Sequence, residues 1–149
     1  MDKNSFLIEL SESERTDFGR VDFPSQSEPQ QVFSAIWELE SQVNNGGFEQ
    51  YFTNADPGVI AFTSSALLSV GALACADIFD EAVTIAFPEG IPSEEEARYQ
   101  QIASLSEEDS ARLGEFDEAF FERPDDLNDL LFAFVASQPE IFGPVPEDP

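Results

Sequence analysis

The sequence predicts an all-α fold, a single-domain compact helical bundle of about six to seven helices. Three observations carry this prediction. Apolar residues return three and four positions apart over most of the chain. Residues that cap helix starts stand in front of those runs, in places with a proline beside them. No segment alternates apolar and polar residues as a half-buried strand would.

The first 28 residues are the least regular part and read as a variable N-terminal segment. Phe6, Leu7, Ile8 and Leu10 fit either a short strand or a helical turn. Ser11 with Glu14 has the spacing of a capping box and predicts a short helix to about Phe18. Asp22 to Glu28, with Pro24, reads as a connection. A helical core then spans 29–138. Pro29 suits a first helical position behind Ser27 or Glu28, and Val32, Ile36, Leu39 and Val43 form one apolar face with Phe33 and Trp37 beside it. The helix is expected to end between Asn44 and Gly47, where adjacent glycines allow a sharp change of direction, and a short helix from Phe48 to about Thr53 follows.

Asp56-Pro57 opens the next helix, which should run to about Ser69 and break at Val70-Gly71-Ala72. Cys75, Ile78, Phe79, Ala82, Val83 and Ala86 resume the stripe, with Asp77, Asp80, Glu81 and Thr84 on the other side. Ser93 with Glu96 predicts a capping box and a polar helix to about Ser104. Ser106 with Asp109 repeats the device, and Leu113, Phe116 and Phe120 form that helix's buried edge. Asp125 or Asp126 caps a last helix striped by Leu127, Leu130, Leu131, Phe134 and Val135. Residues 139–149 form a proline-rich tail, unable to stay helical for long.

Charge is the unusual quantity. There are 31 Asp and Glu against 6 Lys and Arg, a net −25, together with 15 Phe, too many for a disordered acidic chain. Such a molecule repels nucleic acid and anionic membrane and attracts basic surfaces. No histidine is present, which removes the usual zinc, triad and neutral-pH acid–base chemistry. One cysteine, Cys75, allows no internal disulfide and fits a reducing compartment. Met1-Asp2-Lys3-Asn4 lacks the basic start of a signal peptide, so the cytoplasm is the expected location. The uncharged stretch from Pro57 to Ala76 has about the length of a membrane span. It contains Thr63, Ser64, Ser65 and Ser69, is flanked by Asp56 and Asp77, and has no nearby Lys or Arg; a helix pair buried in a soluble bundle fits better.

Between Val43 and Asn54 the sequence resembles a bacterial family of acidic all-helical proteins that includes DNA mimics. The residues that carry the likeness are Asn44, Asn45, Gly46, Gly47, Phe48, Gln50, Tyr51, Phe52 and Asn54, a structural motif rather than a site. Trp37, Leu39, Val70-Gly71-Ala72 and Ala82 to Phe87 add to it, so the likeness runs over roughly residues 30–140. It implies the helical fold, a surface whose carboxylates imitate duplex phosphates, and a dimeric relative that covers the DNA-binding face of a transcription factor.

The acidic sets available for such binding are Glu94, Glu95 and Glu96; Glu107, Glu108 and Asp109; and Glu115, Glu118, Glu122, Asp125 and Asp126. Carboxylates three or four apart on a helix sit about 5–6 Å apart and could occupy a partner's phosphate pockets. The bland alternative is a solvated face made acidic by a saline habitat. With so many acids, chance pairs carry no catalytic information, and no calcium loop, phosphate-cradling glycine loop or di-metal motif is present. No catalytic, cofactor-binding or metal-binding residue is therefore expected, and the chain reads as a non-enzyme. Asn44, Asn45, Gln50 and Asn54 either line a pocket with Tyr51 or, as favoured here, cap helix ends and close the turn. Trp37 and the Phe residues are core by spacing, and Cys75 is a buried small hydrophobe. Leftover apolar surface would serve a homodimer, which self-repulsion at this charge would require to be apolar.

The expected function is thus that of an acidic protein-binding module, a DNA mimic that occupies the DNA-binding face of a basic transcription regulator or other nucleic-acid-binding protein. It would bind neither nucleic acid nor membrane directly. The alternatives are an immunity-type or regulatory inhibitor of a basic toxin or enzyme, and a helical scaffold acidic only through habitat.

Overall fold

The structure, a computed structural model, describes residues 2–145. Met1 and residues 146–149, with Pro146 and Pro149 of the expected tail, lie outside the described residues. Among the described residues the chain forms eight α-helices and one 3-10 turn, with no strand. The helices are α1 (Lys3–Glu12), α2 (Glu28–Asn54), α3 (Pro57–Ser69), α4 (Leu73–Ala86), α5 (Glu95–Ala103), α6 (Glu107–Phe121), α7 (Leu127–Ala136) and α8 (Pro139–Phe142). The 3-10 turn is Phe23–Ser25. Counted without the single turn of α8, the number is the one the sequence predicts.

The N-terminal segment departs from expectation. Residues 3–12 are one helix, started by Asp2, whose Oδ1 accepts the Ser5 N–H at 2.8 Å. Phe6, Leu7 and Leu10 are buried in the main core, α1 packs on α7, and Phe6 meets Phe132 edge-on at 5.6 Å. Ser11 does not open a helix. It lies in the last turn of this one, where its hydroxyl donates to the Ile8 carbonyl at 2.6 Å. Four apolar residues in ten, three of them consecutive, are too few to display a periodic face, and the true cap stands at the second residue of the chain.

α2 is the central element, packing against α3, α5, α6, α7 and the 3-10 turn. Helical geometry fails inside it only at Gly46 and Gly47, and resumes at Phe48. The expected helix end is therefore a kink between two halves of a 27-residue helix. The second half carries Phe48, Tyr51 and Phe52, all fully buried, whose rings contact Phe79, Phe87 and Phe120 of neighbouring elements. The Tyr51 hydroxyl shares a 2.8 Å hydrogen bond with Thr63 of α3.

The remaining caps divide into those made and those not made. Asp56 Oδ1 accepts the Gly58 N–H at 2.8 Å, Ser106 Oγ that of Asp109 at 3.1 Å, and Asp126 Oδ1 that of Asp129 at 3.1 Å. Ser93 makes no cap, because α5 begins one residue later, behind Glu94, and no side chain caps it. The expected capping box thus falls out of register with the helix. The uncharged stretch is broken between α3 and α4, at Gly71 with φ +85, and no described helix is long and apolar enough to cross a membrane. The tail's first turn, α8, is helical and buries Phe142 against Phe33, 5.8 Å between ring centres.

Candidate functional site

Three of the protein's six cations are turned inward or onto its own backbone. Arg98 is buried and donates to the carbonyls of Phe52, Ala55 and Pro92 at 3.0–3.1 Å and of Thr53 at 3.4 Å. Arg15 donates to the carbonyls of Phe142 and Pro144 at 2.6 and 2.5 Å, and Arg20 to that of Glu12. Among the described residues the ion pairs are Lys3–Asp129 at 3.2 Å and Arg123–Asp126 at 2.9 Å. Two carboxylates are thus ion-paired, and the acid excess among the described residues is otherwise not neutralised by ion pairs.

That excess stands on helix exteriors. On α6, Glu107, Glu108, Glu115 and Glu118 are exposed and Asp109 half-buried, and Glu122, exposed, is the residue that ends it. Glu115, Glu118 and Glu122 follow one another three and four positions apart, about 5–6 Å between neighbours. Ser106 holds the first turn, where the helix dipole favours Glu107, Glu108 and Asp109 by a few tenths to about 1 kcal/mol each. α6 packs directly on α4, on which Asp80 and Glu81, three and four positions after Asp77, are exposed with it. Arg112 of α6 lines the same shallow hollow as Asp80 and Glu81. The density is instructive. One carboxylate per helical turn is one charge in about 5.4 Å, sparser than a DNA strand at about 3.4 Å, so a single row does not match a strand. Two packed rows come closer to the duplex, which makes α4 and α6 together the candidate surface.

The other predicted acids are placed differently. Glu94, Glu95 and Glu96 are exposed at the start of α5, a helix that packs on α2. Asp125 is half-buried, and its Oδ2 accepts the Cys75 N–H at 2.8 Å, capping the start of α4 from fifty residues away. Asp126 caps α7 and pairs with Arg123, and the Asp129 N–H, aided by Arg123, holds its carboxyl below the usual range. These two acids organise the α6–α7 connection. Asp77, Asp80 and Glu81 are the converse case. The sequence places them on the polar side of their helix, but only the packing of α4 on α6 joins them to the predicted set.

The motif around the kink is built as a scaffold. Asn45 donates to Gln50 Oε1 at 3.2 Å, and Gln50 in turn to Gln42 Oε1 at 2.6 Å, tying the two halves of α2 together. Asn54 reaches Gln42 at 3.5 Å. The freed Phe48 N–H is taken by Asp117 Oδ1 of α6 at 2.8 Å, and burial pushes the Asp117 carboxyl above its usual range. Tyr51 faces Thr63 rather than these amides. Cys75 is buried as expected, and burial pushes its thiol up to about 12.

Sequence reasoning missed Glu40. On α2 it reads as an off-face acid, yet its Oε1 is buried without a hydrogen-bond partner, and burial pushes the carboxyl from 4.5 up to about 7. Glu40 lines a cleft of about 520 Å³ bounded by α1, α2, the start of α4, the end of α6 and the start of α7. Trp37 lines it too, half-buried and stacked on Phe33 at 5.7 Å, so the lone tryptophan sits at the edge of the core.

A stability prediction follows from the sign of this shift. Below about pH 4.5 Glu40 is protonated in both folded and unfolded chains and contributes nothing. Between about 4.5 and 7 the unfolded chain releases the proton while the folded one keeps it, so stability falls with rising pH. Glu40→Gln removes this penalty. The variant should gain on the order of 2–3 kcal/mol near pH 8 and much less near pH 5. Thermal melts of both proteins at the two pH values check it, and an equal difference at both would contradict the assignment.

A family model described as DMP19-like protein matches residues 25–138. No curated protein and no solved structure matches the chain.

Proposed function

The chain belongs to the DMP19-like protein family, and from that premise we propose that it is a DNA mimic occupying the DNA-binding face of a basic transcription regulator or other nucleic-acid-binding protein. Membership in a DNA-mimic family supports the general reading. The observation that carries it is the disposition of charge: a net −25 with two internal ion pairs among the described residues, and exposed carboxylates on both of the packed helices α4 and α6. The mechanism is occupancy. Glu108, Glu115, Glu118, Glu122, Asp77, Asp80 and Glu81 neutralise the Lys and Arg that would contact phosphate, and DNA is excluded. The role is binding rather than catalysis, exercised inside the cell, and a homodimer would extend the rows across two copies.

The test is capture of basic proteins from cell extract by the immobilised chain at low salt, repeated near 1 M salt, where the Debye length is about 3 Å. Captured proteins are then challenged with their DNA. The expected result is salt-sensitive capture in competition with DNA. Combined Glu115→Gln, Glu118→Gln and Glu122→Gln should weaken capture by about tenfold or more, at up to about 1 kcal/mol per exposed charge pair. A partner that still bound DNA freely would leave an immunity-type inhibitor instead. No basic partner at low salt would leave only an acidic scaffold.

A further inference from the structure

The cleft beside Glu40 lies at the end of α6, and nothing in the occupancy mechanism uses it. Its apolar side is formed by Trp37, Phe120 and Phe121, and Phe121 is 43% exposed there, an unusual position for a phenylalanine that has no covering residue. Its polar side holds Glu40, which has no ion-pair partner among the described residues. Arg123 stands at the same cleft but gives its guanidinium to Asp126, from a backbone at φ +54 that L-residues rarely adopt. Arg123 is still close enough to act on Glu40 through its charge, but its ion pair is made with Asp126 and not with Glu40.

We propose that this cleft binds a small organic monocation, a protonated primary amine with an apolar body, its ammonium against Glu40 and its body against Trp37, Phe120 and Phe121. The volume of about 520 Å³ suits a small ligand. Glu40 is half-buried, with its Oε1 buried and unpartnered, and such a carboxylate gains more from an entering cation than a fully hydrated one does, since part of the desolvation is already spent. Aromatic faces attract the same charge. An anion is repelled by the net −25, and a compact inorganic cation finds better-hydrated carboxylates all over the surface. Only a cation with an apolar body uses both sides of this cleft. The site stands whether or not the acidic rows bind a basic protein.

Binding is coupled to the proton on Glu40. The other titratable groups facing it are Arg123, Asp125 and Asp126 from the α6–α7 connection and Cys75 from α4. Cys75, pushed up to about 12, stays neutral, and Asp126 is held below the usual range, so neither titrates near neutrality. Below about pH 7 the amine must displace the proton, and affinity should fall about tenfold between pH 8 and pH 6.

The experiment titrates phenethylammonium into the full chain near pH 8 and about 1 M NaCl, where loose surface association is screened. It is read by calorimetry and by the fluorescence of Trp37, the one tryptophan. Saturable single-site binding is expected, with 2-phenylethanol, of the same shape without the charge, at least about tenfold weaker. Glu40→Gln should lose about tenfold or more in affinity while melting no lower than the parent, which separates loss of the site from loss of the fold. A paired Glu94→Gln, Glu95→Gln variant should bind as the parent does. Absence of saturation at high salt, equal binding of the alcohol, or unchanged affinity in Glu40→Gln would each overturn the proposal.

Discussion

Replacing Arg98 by methionine should destabilise the protein by about 3–5 kcal/mol, the range for removing one partner from a buried charged network. Arg98 is 3% exposed and has no carboxylate partner among the described residues. Its guanidinium instead closes the C-terminus of α2, where the last carbonyls of any helix lack intrahelical donors. Phe52, Thr53 and Ala55 supply three of those oxygens, and Pro92 adds one from the loop before α5. The positive group also sits at the negative end of the helix dipole. Methionine keeps much of the volume and none of the donors, so buried carbonyls would be left unpaired, about 1–3 kcal/mol for each that water cannot reach. For a chain of 149 residues that means a melting temperature lower by roughly 10–15 °C. Lysine should lie between, because it retains charge but not the fork that reaches several carbonyls at once. Urea unfolding measures the difference, and a loss below about 1 kcal/mol for methionine would show that the carbonyls find other partners. Arg98 also fastens α5 to α2, so Glu94 to Glu96 should lose fixed placement with it.

Arg98 illustrates what the sequence could and could not disclose. Helix caps were legible at Asp56, Ser106 and Asp126, where a capping residue stands at the head of a periodic segment and makes its bond two or three residues on, whereas Asp2, with the same spacing, precedes too short a stripe to be recognised. The stripes of α2, α4 and α7 were legible for the same reason, since burial of one face leaves a period in the residues themselves. α1 was not, because its stripe is short and its partner, α7, lies more than a hundred residues on. Arg98, Asp117, Asp125 and Glu40 were illegible as well. Each is a charged residue whose role is fixed by an element distant in sequence, and a charged residue on a helix reads by default as solvated. Rows of acids were legible one helix at a time, but the adjacency of α4 and α6, which gives the surface its charge density, is a property of packing. An arginine among so many acids suggests an ion pair, and one that serves backbone carbonyls leaves no local signal at all.

Gly47→Ala should be nearly as damaging as the loss of Arg98, by about 3–5 kcal/mol, and two separable effects make it so. Gly47 has φ +77 and ψ −178, a region essentially reserved for glycine, and holding alanine there costs about 1–3 kcal/mol. A Cβ at this position would also collide with the carboxylate of Asp117, which must then release the Phe48 N–H it accepts at 2.8 Å. That N–H is one of the donors freed by the kink, and Phe48 is fully buried, so no water replaces the lost bond. Gly46→Ala is the natural control. Its φ of −152 is open to any residue, and its Cβ would meet the side chain of Gln50, part of which can swing away, so it should lose less than half as much. Pairing Gly47→Ala with Asp117→Ala separates the two effects. If the collision dominates, the double variant should be little worse than Asp117→Ala alone, whereas backbone strain would add in full. Chemical denaturation of the four proteins closes the cycle, and a Gly47→Ala protein as stable as its parent would mean that the kink does not need its glycine. The kink also sets how α6 meets α2, through Asp117 and the contact of Phe48 with Phe120 at 6.0 Å. A motif with no chemistry of its own thereby positions the helix that carries Glu115, Glu118 and Glu122. Gly47→Ala should therefore weaken capture of a basic partner without removing a single charge, a result that charge-neutralising variants cannot imitate.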